Sequence, residues 1–573
     1  MVTPVKWGDE FLVNTTTLNE QSSSEVTGLT NGRFVVTWQD LSETAGDTSG
    51  YAVRSQIFNA DGTKFGAETV VNTTTSSFQL DPDNTALADG TYVVVWTDFS
   101  ASGGDTASNA VRGQIFNANG TKSGAEFLVN TTSIGPQNDA AVTTLENGRF
   151  VVSWTDQSLT GGDPSGAGVR AQIFNADGTK SGAEFLVNNE TQFDQGPPKI
   201  TGLKNGNFVV TWTDSNPALD DPSFLAVRMQ VYSPTGVAVG GEVLVNTTTI
   251  GQQYFPDITA LDNGRFVVTW IDTSVSGTDT SGKAIRAQVF NANGSHNGAE
   301  FVVNTTTSFD QIDPTVTALA DGRFVVAWKD SSATGDDTSG SAVRAQVFNA
   351  NGTPSGSEIV VNTTVNGSQF DPAVSALADG RFVVSWTDFS LTGGDVSFAV
   401  RAQIFDARTA AISLNGTQAD DDYYGTKFGD TLKGTAGNDN LSGASGNDSL
   451  FGGSGADALD GGGGADQLRG GTGKDELSGG AGADRFVFAT AAEAGNGANR
   501  DRISDFTSGS DKIDLSAFLA GGQFIGAANF NAAGDVRYEA ATNILSGDAG
   551  GDGIADFRIK LDGTAPVASD FIF

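Results

Sequence analysis

Seven aspartates in the last quarter of the chain are the residues most plainly spaced for chemistry. Asp430, Asp439, Asp448, Asp457, Asp466, Asp475 and Asp484 stand nine residues apart without a slip. Around them the chain reads GNDNLSGAS, GNDSLFGGS, GADALDGGG, GADQLRGGT and GKDELSGGA, with Leu two residues after each Asp and Phe486 after the last. Carboxylates are hard oxygen donors, and calcium takes about six to eight oxygens at about 2.3–2.6 Å. Carboxylates and glycine-turn carbonyls from adjacent units can supply that shell together. Gly446, Gly455, Gly464, Gly473 and Gly482 are therefore expected at the ion too, because turns that visit positive φ and face their carbonyls inward need glycine.

The same pattern sets the elements that must hold those groups. Each D-x-L stretch is expected as a short strand and each Gly-rich stretch as a bend, so two units complete one coil. Asp residues 18 apart then stack, and Leu432, Leu441, Leu450, Leu459, Leu468 and Leu477 fill a thin core. A core that small cannot order the segment alone, so Ca2+ binding and folding are expected to be one event. Thr435 and Ala444 stand where a second glycine is typical, which predicts partial early sites. A further acidic cluster, GDAGGDGIAD (547–556), sets Asp548, Asp552 and Gly553 at part of a calcium-loop spacing, with Ile559 where the twelfth-position acid would be.

The first 407 residues carry a second repeat. Trp38, Trp96, Trp154, Trp212, Trp270, Trp328 and Trp386 are separated by 58 residues each. Every copy offers four short runs, in the first copy Glu25–Leu29, Arg33–Trp38, Ala52–Phe58 and Thr69–Asn72, with Asp61-Gly62 at a hairpin turn. Four strands repeated seven times predict a seven-bladed β-propeller. The last copy lacks its final strand and the chain opens with one, Glu10–Asn14, as ring closure requires and a solenoid does not.

Two acids recur in each copy. One follows Trp by two residues (Asp40, Asp98, Asp156, Asp214, Asp272, Asp330, Asp388) and is expected to pair with the recurrent third-strand Arg, such as Arg54. The other follows by nine: Asp47, Asp105, Asp163, Asp221, Asp279, Asp337 and Asp395. Loops of Asp, Gly and Ser can gather calcium ligands or sugar hydroxyls, and they are also good turns. All but Asp221 are retained as candidate ligand-binding residues, because the fourth copy departs most.

Residues 429–488 resemble the RTX family of calcium-binding nonapeptide repeats, which implies a parallel β-roll loaded with calcium. The stretch from Gly482, with its D-x-I-x-D-F run at Asp501–Phe506, looks like the carboxyl-terminal module of serralysin-type secreted proteins. The ending ASDFIF is similar to an uncleaved type I secretion signal. That resemblance implies export by the type I secretion machinery of a Gram-negative bacterium, unfolded in low cytosolic calcium and ordered outside. The blades look like repeats of large calcium-binding extracellular bacterial proteins, a likeness that identifies no ligand. Serralysin relatives are zinc proteases, but one histidine, His296, cannot make H-E-x-x-H.

Composition agrees. The formal net charge is −36, which disfavours nucleic acid and anionic membranes as partners, and cysteine is absent. No apolar run reaches the roughly 18 residues of a membrane span, and MVTPVKWGDE lacks the marks of a signal peptide. The domains expected are an all-β propeller over 1–407, a connector over 408–428, a roll over 429–488, and a cap with the secretion signal over 489–573. The function expected is that of a non-enzymatic extracellular protein: an adhesin, a glycan binder, or a surface or matrix component. The alternative is a polysaccharide hydrolase or lyase with carboxylates at the propeller mouth.

Overall fold

Runs of β-branched and aromatic residues, punctuated by turns that need positive φ, give each 58-residue copy no option but a sheet. The computed structural model describes residues 3–573 except 45, 48, 105–108, 218–220, 280, 336, 338 and 393–396. The first blade runs Gln21–Gly28, Phe34–Asp40, Ala52–Phe58 and Lys64–Val70, all antiparallel. Gly62 turns its hairpin at φ 87°. The inner strand begins four residues before the predicted Glu25 because a bulge between Ser22 and Glu25 absorbs the positive φ of Ser23. The outer strand ends before Asn72, whose side-chain Oδ1 accepts the Val53 N–H at 2.9 Å in place of a backbone partner.

Seven such four-stranded sheets are present, and the seventh is built from both parts of the chain. Gln369–Ala376, Phe382–Asp388 and Ala399–Asp406 are completed by Val5–Leu12, with Leu12 opposite Arg401. This is a closed seven-bladed propeller, as the repeat and the split copy predict. Each blade buries its Trp against its neighbour; Leu87, Val93 and Val95 of one pack with Phe150, Val152 and Trp154 of the next. A Trp buried this fully contributes about 5 kcal/mol of gross hydrophobic stabilisation.

Charge also runs through the blades. Arg54 lies opposite Trp38 in register, and its Nε meets Asp40 at 2.5 Å while its Nη1 meets Glu68 at 2.8 Å. The Arg–Asp pair recurs in all seven blades. Glu68 then accepts the Thr15 N–H at 2.7 Å, so the network passes into the preceding blade. In the closing blade Glu10 does the same for Thr363, at 2.6 Å.

The carboxyl-terminal part is a coil of parallel strands. One face stacks Leu414, Leu432, Leu450, Leu468, Phe486 and Ile513 in register, the other Tyr423, Leu441, Leu459, Leu477 and Ile503. Strands Ser413–Asn415 and Asp422–Tyr424 belong to this stack, so the stretch expected as a connector contributes to the coil. Antiparallel strands Asp535–Glu539, Ile544–Asp548 and Phe557–Gly563 close it. By its contacts the chain divides into two compact units, Met1–Leu29 with Phe34–Ala407, and Thr30–Arg33 with Arg408–Phe573.

Candidate metal centre and propeller mouth

A nine-residue half-turn puts every second aspartate of the roll on one side, and the backbone then links them. From Asp439 on, one carboxylate oxygen, Oδ1, accepts the N–H of the Asp one coil earlier: that of Asp457 from Asp439 at 2.9 Å, of Asp466 from Asp448 at 2.8 Å, of Asp484 from Asp466 at 3.0 Å. The other oxygen is left bare. Oδ2 of Asp439, Asp448, Asp457, Asp466, Asp475, Asp484 and Asp501 is buried without a hydrogen-bond partner. Buried polar atoms are nearly always paired, so this row calls for a partner outside the chain's own donors, and a cation is one that suits a carboxylate.

The electrostatics say the same. Burial, reinforced by Asp457 and Asp421, pushes Asp439 up to about 7. Burial and the carboxylates of the adjoining coils push Asp448 to about 7 and Asp484 to about 6. Asp501 rises to about 8, by burial and then by Asp475 and Glu493. A buried row of like charges is relieved by protonation or by a cation shared among its members.

The glycines fit the same reading. Gly446, Gly455, Gly464, Gly473 and Gly482 all have positive φ, and a Cβ on Gly464 would lie 1.4 Å from the carbonyl oxygen of Gly446. Among the described residues no three acidic or imidazole side chains converge on one point. Each half-turn instead brings one carboxylate to the ladder.

Three sequence-named residues are placed differently from the rest of the ladder. Asp430 stacks with the ladder, but its Oδ2 accepts the Thr426 N–H at 2.5 Å and its Oδ1 the Ile412 N–H at 2.6 Å. Asp548 accepts N–H groups from Gly551 and Gly553 at 2.5 and 2.8 Å, and Asp552 accepts from Ile554 at 2.9 Å. Both carboxylates thus accept from backbone N–H groups of their own turn. The nine-residue spacing does not reach Asp501, because the chain makes a longer excursion before returning it to the ladder, where its Oδ1 accepts the Asp475 N–H at 2.9 Å.

In the propeller, Asp47, Asp163, Asp279 and Asp337 are buried, and each accepts from an Asn, as Asp279 does from Asn304 at 2.7 Å. Asp221 does likewise with Asn246 at 2.7 Å. In each, the carboxylate ties its loop to the Asn that follows the outer strand. Asp105 and Asp395 lie outside the described residues. His296 is exposed, with Nε2 3.3 Å from the Val245 carbonyl oxygen.

A cavity of about 310 Å³ opens where the inner strands begin, lined by Glu25, Asp81, Asp83, Asp139, Lys199, Asp257, Asp313 and Asp371 with a wall of prolines. Lys199 Nζ lies 3.7 Å from Glu25 Oε1. Burial pushes Glu25 up to about 7, Lys199 opposes it, and Asp83 and Asp257 add to it. Antiparallel order brings the linkers between blades and the loops after each Trp strand to this same end of the propeller. Those loops expose apolar side chains, among them Ile134 (62%), Ile250 (71%) and Phe309 (67%). Exposed Leu159, Val275 and Leu391 are also held at φ of 54°, 49° and 55°, a conformation bulky and β-branched residues rarely adopt.

Comparison with known proteins adds the following. A protein of unknown function from Dyadobacter fermentans is similar in structure over 71% of this chain and 99% of its own, with TM-score 0.42 and 13% identity. The α-L-arabinofuranosidase Arb93A from Fusarium graminearum is similar over 70% of this chain and 98% of its own, with TM-score 0.40 and 10% identity. The metallopeptidase AprA of Pseudomonas marginalis is 44% identical over 88 residues, 14% of this chain and 18% of that protein, so the match spans under a fifth of the relative's length. Residues 427–573 match the family model described as Peptidase M10 serralysin C terminal, and this part of the chain is a serralysin-like carboxyl-terminal module.

Proposed function

We propose that the chain is a secreted, calcium-dependent binding protein without catalytic activity, an adhesin, glycan binder or surface-structural component. The observation that carries this reading is the row of seven buried carboxylate oxygens with no donor. Asp439, Asp448, Asp457, Asp466, Asp475, Asp484 and Asp501 would hold the ions with carbonyls of the glycine turns. Bound calcium would supply the positive charge that lets this polar ladder be buried. The serralysin-like module supports export by the type I machinery of a Gram-negative bacterium, into a medium where calcium is plentiful. No helix among the described residues is long and apolar enough to cross a membrane.

Exposed apolar side chains on the loops at the mouth end, Ile134, Ile250 and Phe309 among them, would give the propeller its contact points. The far-ultraviolet circular dichroism of the full chain is expected to gain β signal between chelator and millimolar calcium. An unchanged spectrum would remove the calcium reading. A glycan array with and without calcium tests the ligand class.

One observation favours the second reading, a polysaccharide hydrolase or lyase. The blades are near copies elsewhere, yet the residue four after each inner-strand Gln is Glu25, Asp83, Ala141, Lys199, Asp257, Thr315 and Ala373 in turn. Divergence at the mouth is what single-site chemistry would leave. Turnover of extracellular polysaccharides that is lost in both E25Q and K199M would establish it.

A further inference from the structure

We propose that three rungs of the aspartate ladder are closed by threonines and take no cation: Asp421 and Asp430 before the bare run, and Asp511 after it. The proposal rests on the calcium reading above and sets its limits.

At the two amino-end rungs the carboxylate sits as it does in the interior, against the glycine five residues earlier. A Cβ on Gly416 or Gly425 would meet Oδ2 of Asp421 or Asp430 at 2.4 or 2.8 Å, as one on Gly443 or Gly452 would meet Asp448 or Asp457 at 2.4 or 2.3 Å. The difference lies one residue further on, four before the Asp. In the interior that residue is left-handed: Thr435 at φ 82°, Ala444 at 68°, Gly453 at 117°, Gly462 at 86°. There Oδ2 has no donor.

At Thr417, Thr426 and Thr507 the backbone stays out of the left-handed region, and the N–H turns onto Oδ2 of Asp421, Asp430 and Asp511 at 2.7, 2.5 and 2.7 Å. The Thr426 hydroxyl adds a bond to the same oxygen at 3.0 Å, and the Thr417 hydroxyl donates to Asp421 Oδ1 at 3.0 Å. A carboxylate has about four acceptor sites, and one that already accepts two or three protein donors has little left for a cation. The same turn of the peptide takes the position's backbone out of the form that the interior turns share. The threonine thus does at the ends what an ion would do between them.

Residue type alone does not decide the matter. Thr435 has the same type and the same offset as Thr426, yet it is left-handed and Asp439 Oδ2 is bare. A β-branched residue seldom holds that backbone without cause, which assigns the Asp439 turn to the cation-competent run. The roll therefore has hydrogen-bonded end turns that close without metal and an interior that does not.

Crystals of the full chain grown in calcium, measured for the anomalous scattering of calcium, would locate the ions. Ions along the run from Asp439 to Asp501, with none touching Asp421, Asp430 or Asp511, are the result expected. An ion on any of those three overturns the proposal. A roll with no ion at all removes the calcium reading and the proposal with it, a failure of a different kind. In solution, equilibrium dialysis should find as many ions on D430N as on the unaltered chain and fewer on D457N. Equal losses overturn the proposal, and circular dichroism in saturating calcium verifies that each variant is ordered. A D430N chain that does not order leaves the decision to the scattering measurement.

Discussion

Arg286 is held between two carboxylates, Asp272 at 2.6 Å and Glu300 at 2.9 Å, inside a sheet covered by neighbouring blades. Removing the guanidinium strands both anions, so Arg286→Ala should cost about 3–5 kcal/mol. Urea unfolding followed by tryptophan fluorescence would read it, because all eight Trp lie in the propeller, Trp7 among them. Arg286→Ala with unchanged stability would make the network ornamental. The Arg and the Asp of this network were legible from their recurrence. The Glu recurs as regularly, at Glu10, Glu68, Glu126 and onward, but its role depends on contact with the blade before, which no single copy reveals. Glu25 offers a pH test. Its carboxyl is raised from 4.5 to about 7, first by burial, so the folded propeller binds a proton that the unfolded chain releases. Stability is then highest below pH 4.5 as far as this group is concerned, and falls as pH rises to about 7. The fluorescence-monitored melting temperature should drop between pH 5 and pH 8 by more in the unaltered chain than in E25Q. Equal drops would exclude Glu25 as the source.

The turn between strands is where the roll is most sensitive. Gly464→Ala would place a methyl 1.4 Å from the Gly446 carbonyl oxygen at φ 144°, whereas Gly463, its neighbour, has nothing within 4 Å of its Cβ position. Calcium titration by circular dichroism should require at least about tenfold more calcium for G464A, roughly 1.4 kcal/mol, and leave G463A near the unaltered midpoint. Equal midpoints would mean the coil does not stack as described. Strict nine-residue spacing made these turns readable in sequence, together with their core of leucines. The spacing was silent where the rhythm broke. Asp501 follows Asp475 by 26 residues rather than 18, so no periodicity could place it in the ladder. The threonine caps were hidden for another reason, since Thr426 and Thr435 share residue type and offset from their Asp but take different backbone conformations.

At the scale of the whole molecule, the propeller depends on one strand that arrives from elsewhere in the chain. Deleting residues 1–12 should leave the seventh blade without Val5–Leu12 and lower the tryptophan-reported melting temperature. A synthetic peptide of residues 3–14 added to the truncated chain should restore much of the loss. Failure of both effects would deny the strand its closing role. The split copy made closure legible in the sequence, while the mouth was foreseen only as a place. Its residues differ from blade to blade, so no repeat could announce Lys199 among its acids. Closure also has an order in time. Glu10 meets Arg401 across 391 residues, and because the entropy of joining ends rises only about 0.6 kcal/mol per doubling of length, so long a span is tolerable at equilibrium. What it imposes is waiting. The first strand of a newly made chain stays idle until the last blade exists, and during that interval a blade edge stands open to the same strand of a neighbouring copy. Crowded chains would therefore exchange these strands, and dilution during refolding should favour closed single rings.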